Sequence, residues 1–350
     1  MSVAFPTHPG LATADSSAQA ALAVDYIPWE KAQALLGDDD VLAVFGFGDG
    51  VPRQLDDPRY LHIALQPHAG DTRCEVWRGV GPVRSGRDGA IAWSSDGALA
   101  FGVIEVDERA HASAGDPTGI TGAATHAYAR LLDFVGASST PHLLRIWNYL
   151  DAINRGDGDN ERYRQFCIGR ARGLGDTDAH CLPAATAIGR CDEARTLQVY
   201  WLSAAARGAP VENPRQISAW RYPRAYGPQP PSFARAMLPP TDTQMPLLLS
   251  GTASVVGHAT LHAGALLAQL QETFDNFDAL LAAARERQPA LPPAFGSGTR
   301  LKVYVRDLDD MGMVAEALHV RFGDRVPRVL LHAAICRRDL AVEIDGVHGL

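Results

Sequence analysis

Pro327-Arg328-Val329-Leu330-Leu331-His332-Ala333-Ala334-Ile335-Cys336-Arg337-Arg338-Asp339-Leu340-Ala341-Val342-Glu343-Ile344-Asp345-Gly346 closes the chain with a period-2 pattern, the mark of extended strands. Val329, Leu331, Ala333 and Ile335 fall on one face of a first strand, and Arg328, His332 and Cys336 on the other. In the return segment Leu340, Val342 and Ile344 alternate with Ala341, Glu343 and Asp345. A two-residue turn at Arg338-Asp339 predicts a hairpin in which Cys336 faces Ala341 and Ala334 faces Glu343. Cys336 and Glu343 are then diagonal neighbours, so a thiol, a carboxylate and an arginine share one surface.

Upstream of this stretch the pattern predicts a bulged strand or strand pair, LLLSGTASVVG (247–257), and a long amphipathic helix over 262–287. A strand, LKVYVRD (301–307), and a helix, MGMVAEALHVRFG (311–323), follow. The same order occurs earlier in the chain. Short strands run from Val41 to about Ala110. A helix over 119–136, a strand over 142–150, the helix ERYRQFCIGRARGL and two strands around 182–189 and 196–204 come next. Leu144-Arg145-Ile146-Trp147 falls against Leu301-Lys302-Val303-Tyr304, and Leu182-Pro183-Ala184 against Val326-Pro327-Arg328. The recurrence reads as an internal duplication of an α+β unit, a mixed sheet with helices on one face. In the first unit Leu144 and Ile146 are expected to face the helices, which leaves Arg145, Trp147 and Tyr149 on a face that meets the second unit. A pocket there would be lined by both.

The expected division is an N-terminal extension over 1–40, a first repeat over 41–207, a linking stretch over 208–245 and a second repeat over 246–350. The linking stretch is rich in Pro and Arg, yet Trp220, Tyr222, Tyr226 and Phe233 interleave with Arg215, Arg221, Arg224 and Arg235. That composition predicts an ordered loop lining a site rather than a plain linker.

A net charge of −8 argues against a nucleic-acid surface. No apolar run approaches the roughly 20 residues of a membrane span, and the N-terminus lacks a basic and apolar leader, so a cytoplasmic protein is expected. Lysine is limited to Lys31 and Lys302, which leaves arginine to meet any anionic ligand. Cys74, Cys167, Cys181, Cys191 and Cys336 form no CxxC motif, in keeping with reduced thiols and no metal site.

The second repeat resembles the YjgF (RidA) fold: SGT near its start, the long helix, VYVRDLDDM, Pro327-Arg328 opening a strand, and VEI fifteen residues after that arginine. The resemblance implies two tandem YjgF-like, chorismate-mutase-like repeats. It also permits an imine deaminase or a small-acid-binding protein. The whole chain from about residue 40 is similar to a narrower, YjgF-related family, the chorismatases, in RIWNYLDAIN, ERYRQFCIGR, the NPRQISAWRYPRAYGPQPPSFARA loop, SGTASVVGH, and a cysteine and glutamate seven apart at Cys336 and Glu343. That resemblance implies cleavage of chorismate with release of pyruvate, without a cofactor. Glu343 is then the expected general acid. Cys336 marks the branch forming 3-hydroxybenzoate, with 4-hydroxybenzoate-forming relatives close by, the products that feed aryl-polyene pigment and quinone (ubiquinone) synthesis. Chorismate carries two carboxylates, for which Arg145, Arg235 and Arg328 are the expected clamps; Tyr149 and Tyr226 are candidate hydrogen-bonding partners, and Gly251 would let the ring approach the backbone. Arg162, Arg164 and Arg170 are expected to be solvated on their helix. A duplicated chain is compatible with a monomer.

Overall fold

The structure, a computed structural model, describes residues 21–68 and 73–350. The strands and helices that build it are, in chain order, Ala23–Pro28 (β1), Trp29–Leu35 (α1), Val41–Phe47 (β2), Tyr60–Ile63 (β3), Arg73–Arg78 (β4), Arg84–Asp88 (β5), Ile91–Ser95 (β6), Leu99–Asp107 (β7), Ile120–Ala137 (α2), His142–Asp151 (β8), Arg162–Leu174 (α3), Ala184–Arg190 (β9) and Thr196–Ala204 (β10). They continue with Ala209–Val211 (β11), Ala236–Leu238 (β12), Leu247–Ala253 (β13), Val255–Val256 (β14), Ala259–Thr260 (β15), Leu266–Arg287 (α4), Thr299–Val305 (β16), Met311–Phe322 (α5), Arg328–His332 (β17), Ala334–Ile335 (β18) and Val342–His348 (β19).

The architecture is α+β with mixed sheets. One large sheet runs β18-β9-β8-β10-β7-β6-β5 and the other β11-β12-β13-β19-β16-β17. Setting β18 aside, the two have the same strand order, and in each the strand pair joined through a helix, β8–β9 or β16–β17, is parallel. The apolar stripes of α2 and α3 pack on the first large sheet through Ala127, Leu131, Phe166, Ile146 and Val199. Those of α4 and α5 cover the second through Phe277, Leu281, Leu318, Val303 and Ile344. The uncovered faces meet in a shared core that includes Trp147, Tyr149, Tyr200, Tyr304, Leu331 and Ile335. A four-stranded sheet, β1-β4-β2-β3, packs its Phe45 and Trp77 into the same core. The segment expected as an extension therefore supplies β1 and α1, while residues 1–20 lie outside the described residues.

The C-terminal stretch departs from the expected hairpin. β16 lies between β17 and β19, parallel to one and antiparallel to the other, so β17 and β19 share no hydrogen bonds. The chain leaves β17, and β18 crosses to the first large sheet, where Ala334 and Ile335 pair with Gly189 and Ile188 of β9. A Cβ at Gly189 would sit 2.8 Å from that of Ala334, so glycine permits the approach. Residues 336–341 keep the expected turn at Arg338-Asp339, where Leu340 N donates to Arg337 O at 3.2 Å, but the strands flanking it, β18 and β19, belong to different sheets. Arg306 donates to the carbonyls of Ile335, Arg337 and Leu340, and the Gln269 amide bonds to Asp339 and Ala341.

Alternation along β8 is interrupted as well. A bulge opposite Leu202/Ser203 lets Leu144 join the shared core beside Trp147, whereas Ile146 faces the helices as expected.

Candidate active site

A cavity of about 280 Å³ opens between the halves, lined by α3, β9, the 216–235 stretch, β13 and the 336–343 segment. Glu343 points into it from β19 and is only 5% exposed. Its strand partners are Ala253 on β13 and Tyr304 on β16, and a Cβ at Gly251 would fall 2.0 Å from Glu343 Oε1, so the bare glycine makes room for the carboxyl. Cys336 Sγ lies 3.8 Å from Glu343 Oε2 and donates to it. The thiol and the carboxylate anticipated as neighbours thus meet, although the strands flanking the turn between them belong to different sheets.

Burial is the main influence on this acid, followed by the negative charge of Asp345. Together they push the Glu343 carboxyl up to about 8 against the opposing effects of the Cys336 thiol, Arg145 and Arg337. A carboxyl held this way keeps its proton near neutral pH and is able to donate it. Burial, reinforced by Glu343, also raises the Cys336 thiol, which stays protonated.

The walls are cationic and aromatic. Arg170, Arg235 and Arg337 line the cavity with Tyr222, Tyr226 and Phe233. Arg235 donates to Ile217 O at 2.9 Å and to the Tyr222 hydroxyl at 2.7 Å. Arg337 lies 4.2 Å over the Tyr226 ring and donates to His258 O. Arg170 sits over Tyr128 at 5.1 Å, and its buried Nε and Nη2 have no hydrogen-bond partner among the described residues. A buried guanidinium with free donors beside a cavity suits a carboxylate. Two further arginines at the rim are already engaged: Arg164 with Glu161, and Arg338 with Asp157 and backbone carbonyls.

Of the residues chosen from sequence, Glu343, Cys336, Tyr226, Arg235 and Gly251 line the cavity, whereas Arg145, Tyr149 and Arg328 do not. Arg145 lies behind its wall, fully buried, bonded to Thr186 Oγ1 at 2.5 Å and to Asp345 at 3.2 Å and stacked over Trp147. The Tyr149 hydroxyl bonds to those of Tyr200 and Tyr304 in the shared core. Arg328 turns back to donate to the carbonyls of Gly323, the C-cap residue of α5, and Val326. Conversely, Arg170 is not solvated. It shares the buried stripe of α3 with Arg162, Phe166 and Leu174, and the i, i+4, i+8 spacing of 162, 166 and 170 is the sequence signal that could have placed it. Arg162 is buried too, but both its bonds to Glu108 measure 2.8 Å, which makes it structural.

Residues 75–203 match the "Chorismatase FkbO/Hyg5-like, N-terminal" family. A chorismatase from Streptomyces rapamycinicus is 33% identical over 341 residues, covering 92% of this chain and 97% of that protein. A 3-hydroxybenzoate synthase from Streptomyces hygroscopicus is 31% identical over 298 residues, 82% of this chain and 84% of its own length. A crystal structure of a chorismatase superposes with a TM-score of 0.82 at 31% identity, covering 95% of this chain and all of that one. With a relative matched along nearly its full length and the same overall fold, the chain belongs to the chorismatase family.

Proposed function

We propose that this chain cleaves chorismate to pyruvate and 3-hydroxybenzoate, with 4-hydroxybenzoate as a possible second product, and that Glu343 is its general acid. The observation that carries the proposal is the buried Glu343 carboxyl, 3.8 Å from the Cys336 thiol in an arginine-lined cavity, and burial pushes that carboxyl up to about 8. Arg170, Arg235 and Arg337 are the clamps for the two carboxylates, and Tyr222, Tyr226 and Phe233 flank the ring.

Glu343 gives its proton to the methylene carbon of the enolpyruvyl ether. The resulting oxocarbenium weakens the bond from ring C3 to oxygen. The C4 hydroxyl attacks C3 as that bond breaks, pyruvate departs with the bonding pair, and the hydroxyl proton restores Glu343. The arene oxide so formed opens and loses the C3 hydrogen to give the 3-hydroxy product. Atoms balance without water or an oxidant. Cys336 acts on the ring intermediate as a neutral thiol, steering it toward aromatisation. The residues that line the cavity come from both halves of one chain, in keeping with a monomer, and the proposal includes a cytoplasmic enzyme that needs no cofactor.

Incubating the pure protein with chorismate in the presence of a chelator, assaying pyruvate and separating the aromatic products tests it. Pyruvate with 3-hydroxybenzoate is expected. Absence of pyruvate would leave an imine deaminase or an acid-binding protein as the better description.

A further inference from the structure

Opposite Asp345, β13 carries a bulge: Leu249 pairs with Gly346 and Thr252 with Ile344, so Ser250 and Gly251 together face the one residue Asp345. They are held from outside the β13–β19 ladder, Ser250 by its side chain and Gly251 by its amide. Ser250 Oγ accepts from Ala185 N, and Gly251 N donates to Thr186 Oγ1 at 3.0 Å. The Thr186 hydroxyl also accepts from Arg145 Nη2 and donates to Asp345 Oδ2 at 2.7 Å. Its one proton and both lone pairs are committed, which leaves no freedom of rotation. Asp345 Oδ2 receives Trp147 Nε1 and the Tyr304 hydroxyl as well, each at 3.0 Å.

Resting on the lyase function proposed above, we propose that Thr186, locked by Asp345, is the positioning residue that holds the Gly251 bulge and thereby fixes the Glu343 carboxyl in the cavity. Gly251 is the backbone against which Glu343 Oε1 rests, and Thr186 is the side chain that bonds the Gly251 amide. Asp345 emerges from β19 on the same side as Glu343, two residues on, so one buried carboxylate both orients Thr186 and presents its charge to the acid. The groups facing Glu343 are Asp345 from its own strand, Cys336 and Arg337 from the preceding loop, Arg145 from β8 and Tyr163 from α3. Asp345 is the charged member of this set that disfavours ionisation of Glu343, while Arg145 and Arg337 favour it.

Two variants test the pair, each by a measurement that a purely structural role would leave unmoved. Thr186→Val keeps shape and loses the hydroxyl. It is expected to lower kcat by about tenfold or more with KM changed less than about threefold, and Thr186→Ser is expected to recover kcat. Asp345→Asn is expected to move the titration of Glu343, followed by 13C NMR of labelled glutamate and assigned with Glu343→Gln, to lower pH by about half a unit or more. An unchanged kcat in Thr186→Val, a failure of Thr186→Ser to recover it, or an unmoved Glu343 midpoint in Asp345→Asn would overturn the pairing. The NMR midpoint needs no turnover. If the wild type releases no pyruvate, the lyase function falls and the midpoint still decides this inference.

Discussion

Arg170 and Tyr128 stack in the interface of α2 and α3, with the guanidinium 5.1 Å from the ring centroid and two of its nitrogens, beside the cavity, without a hydrogen-bond partner among the described residues. Burying a cation with idle donors costs free energy in the empty protein, and a carboxylate arriving from the cavity would recover it. Arg170→Ala should therefore raise KM for chorismate by about 10- to 100-fold, the worth of a hydrogen bond to a charged group. Arg170→Lys should recover little of this, because an ammonium cannot present the fork. Steady-state kinetics would check both.

The rate should follow the acid form of Glu343. Its carboxyl is pushed up to about 8 from the ordinary 4.5, so the proton is present at neutral pH and lost above that point. kcat/KM is expected to be level below about pH 7 and to fall about tenfold per unit well above pH 8. Glu343→Gln should lose about 10²- to 10⁴-fold in kcat and show no such limb. Stability has a matching sign. A raised carboxyl stabilises the fold fully below 4.5, and that contribution fades as pH rises through 8. Thermal melts of wild type against Glu343→Gln across this window should diverge, with the wild type losing more.

Product identity should depend on Cys336. Cys336→Ala keeps the acid and the clamps, so pyruvate release should continue while the ring intermediate takes up water and leaves as a dihydroxycyclohexadiene carboxylate. Chromatography of the products against pyruvate yield would read this, and unchanged 3-hydroxybenzoate output would remove Cys336 from the mechanism.

Arg162 and Glu108 should matter for folding rather than chemistry. Glu108 is fully buried and accepts two bonds from Arg162 and one from Arg195. Arg162→Ala leaves that carboxylate with Arg195 as its remaining cationic partner and should cost up to about 3–5 kcal/mol, seen as a lower urea midpoint. Its KM for chorismate should stay near that of the wild type.

Local patterns in the sequence carried much of the architecture. The period of 3.6 located α2 to α5 to within a few residues, and the alternation of Val329, Leu331, Ala333 and Ile335 correctly marked a buried face. Long-range pairing was not legible. Nothing local to residues 327–346 says that β16 will lie between β17 and β19, or that Ala334 will pair with Gly189. The same limit explains Arg145 and Tyr149. Their face was read correctly as the one between the halves, but it meets Asp345, Lys302 and Tyr304 there instead of open space. Arg170 was misjudged because the charge count of α3 was weighed without its phase. Arg162 and Arg170 lie on the buried stripe, while Arg164 and Arg172 lie off it.

The crossing of β18 onto β9 has a consequence for how the catalyst could be divided. Cys336 directly follows a strand stitched to the first large sheet, while Glu343 belongs to the second. Two separately expressed fragments, cut in the exposed turn at Ala205–Arg207 between β10 and β11, would each be inert and would recover turnover only on reassociation. Activity in this chain is thus a readout of docking between its halves.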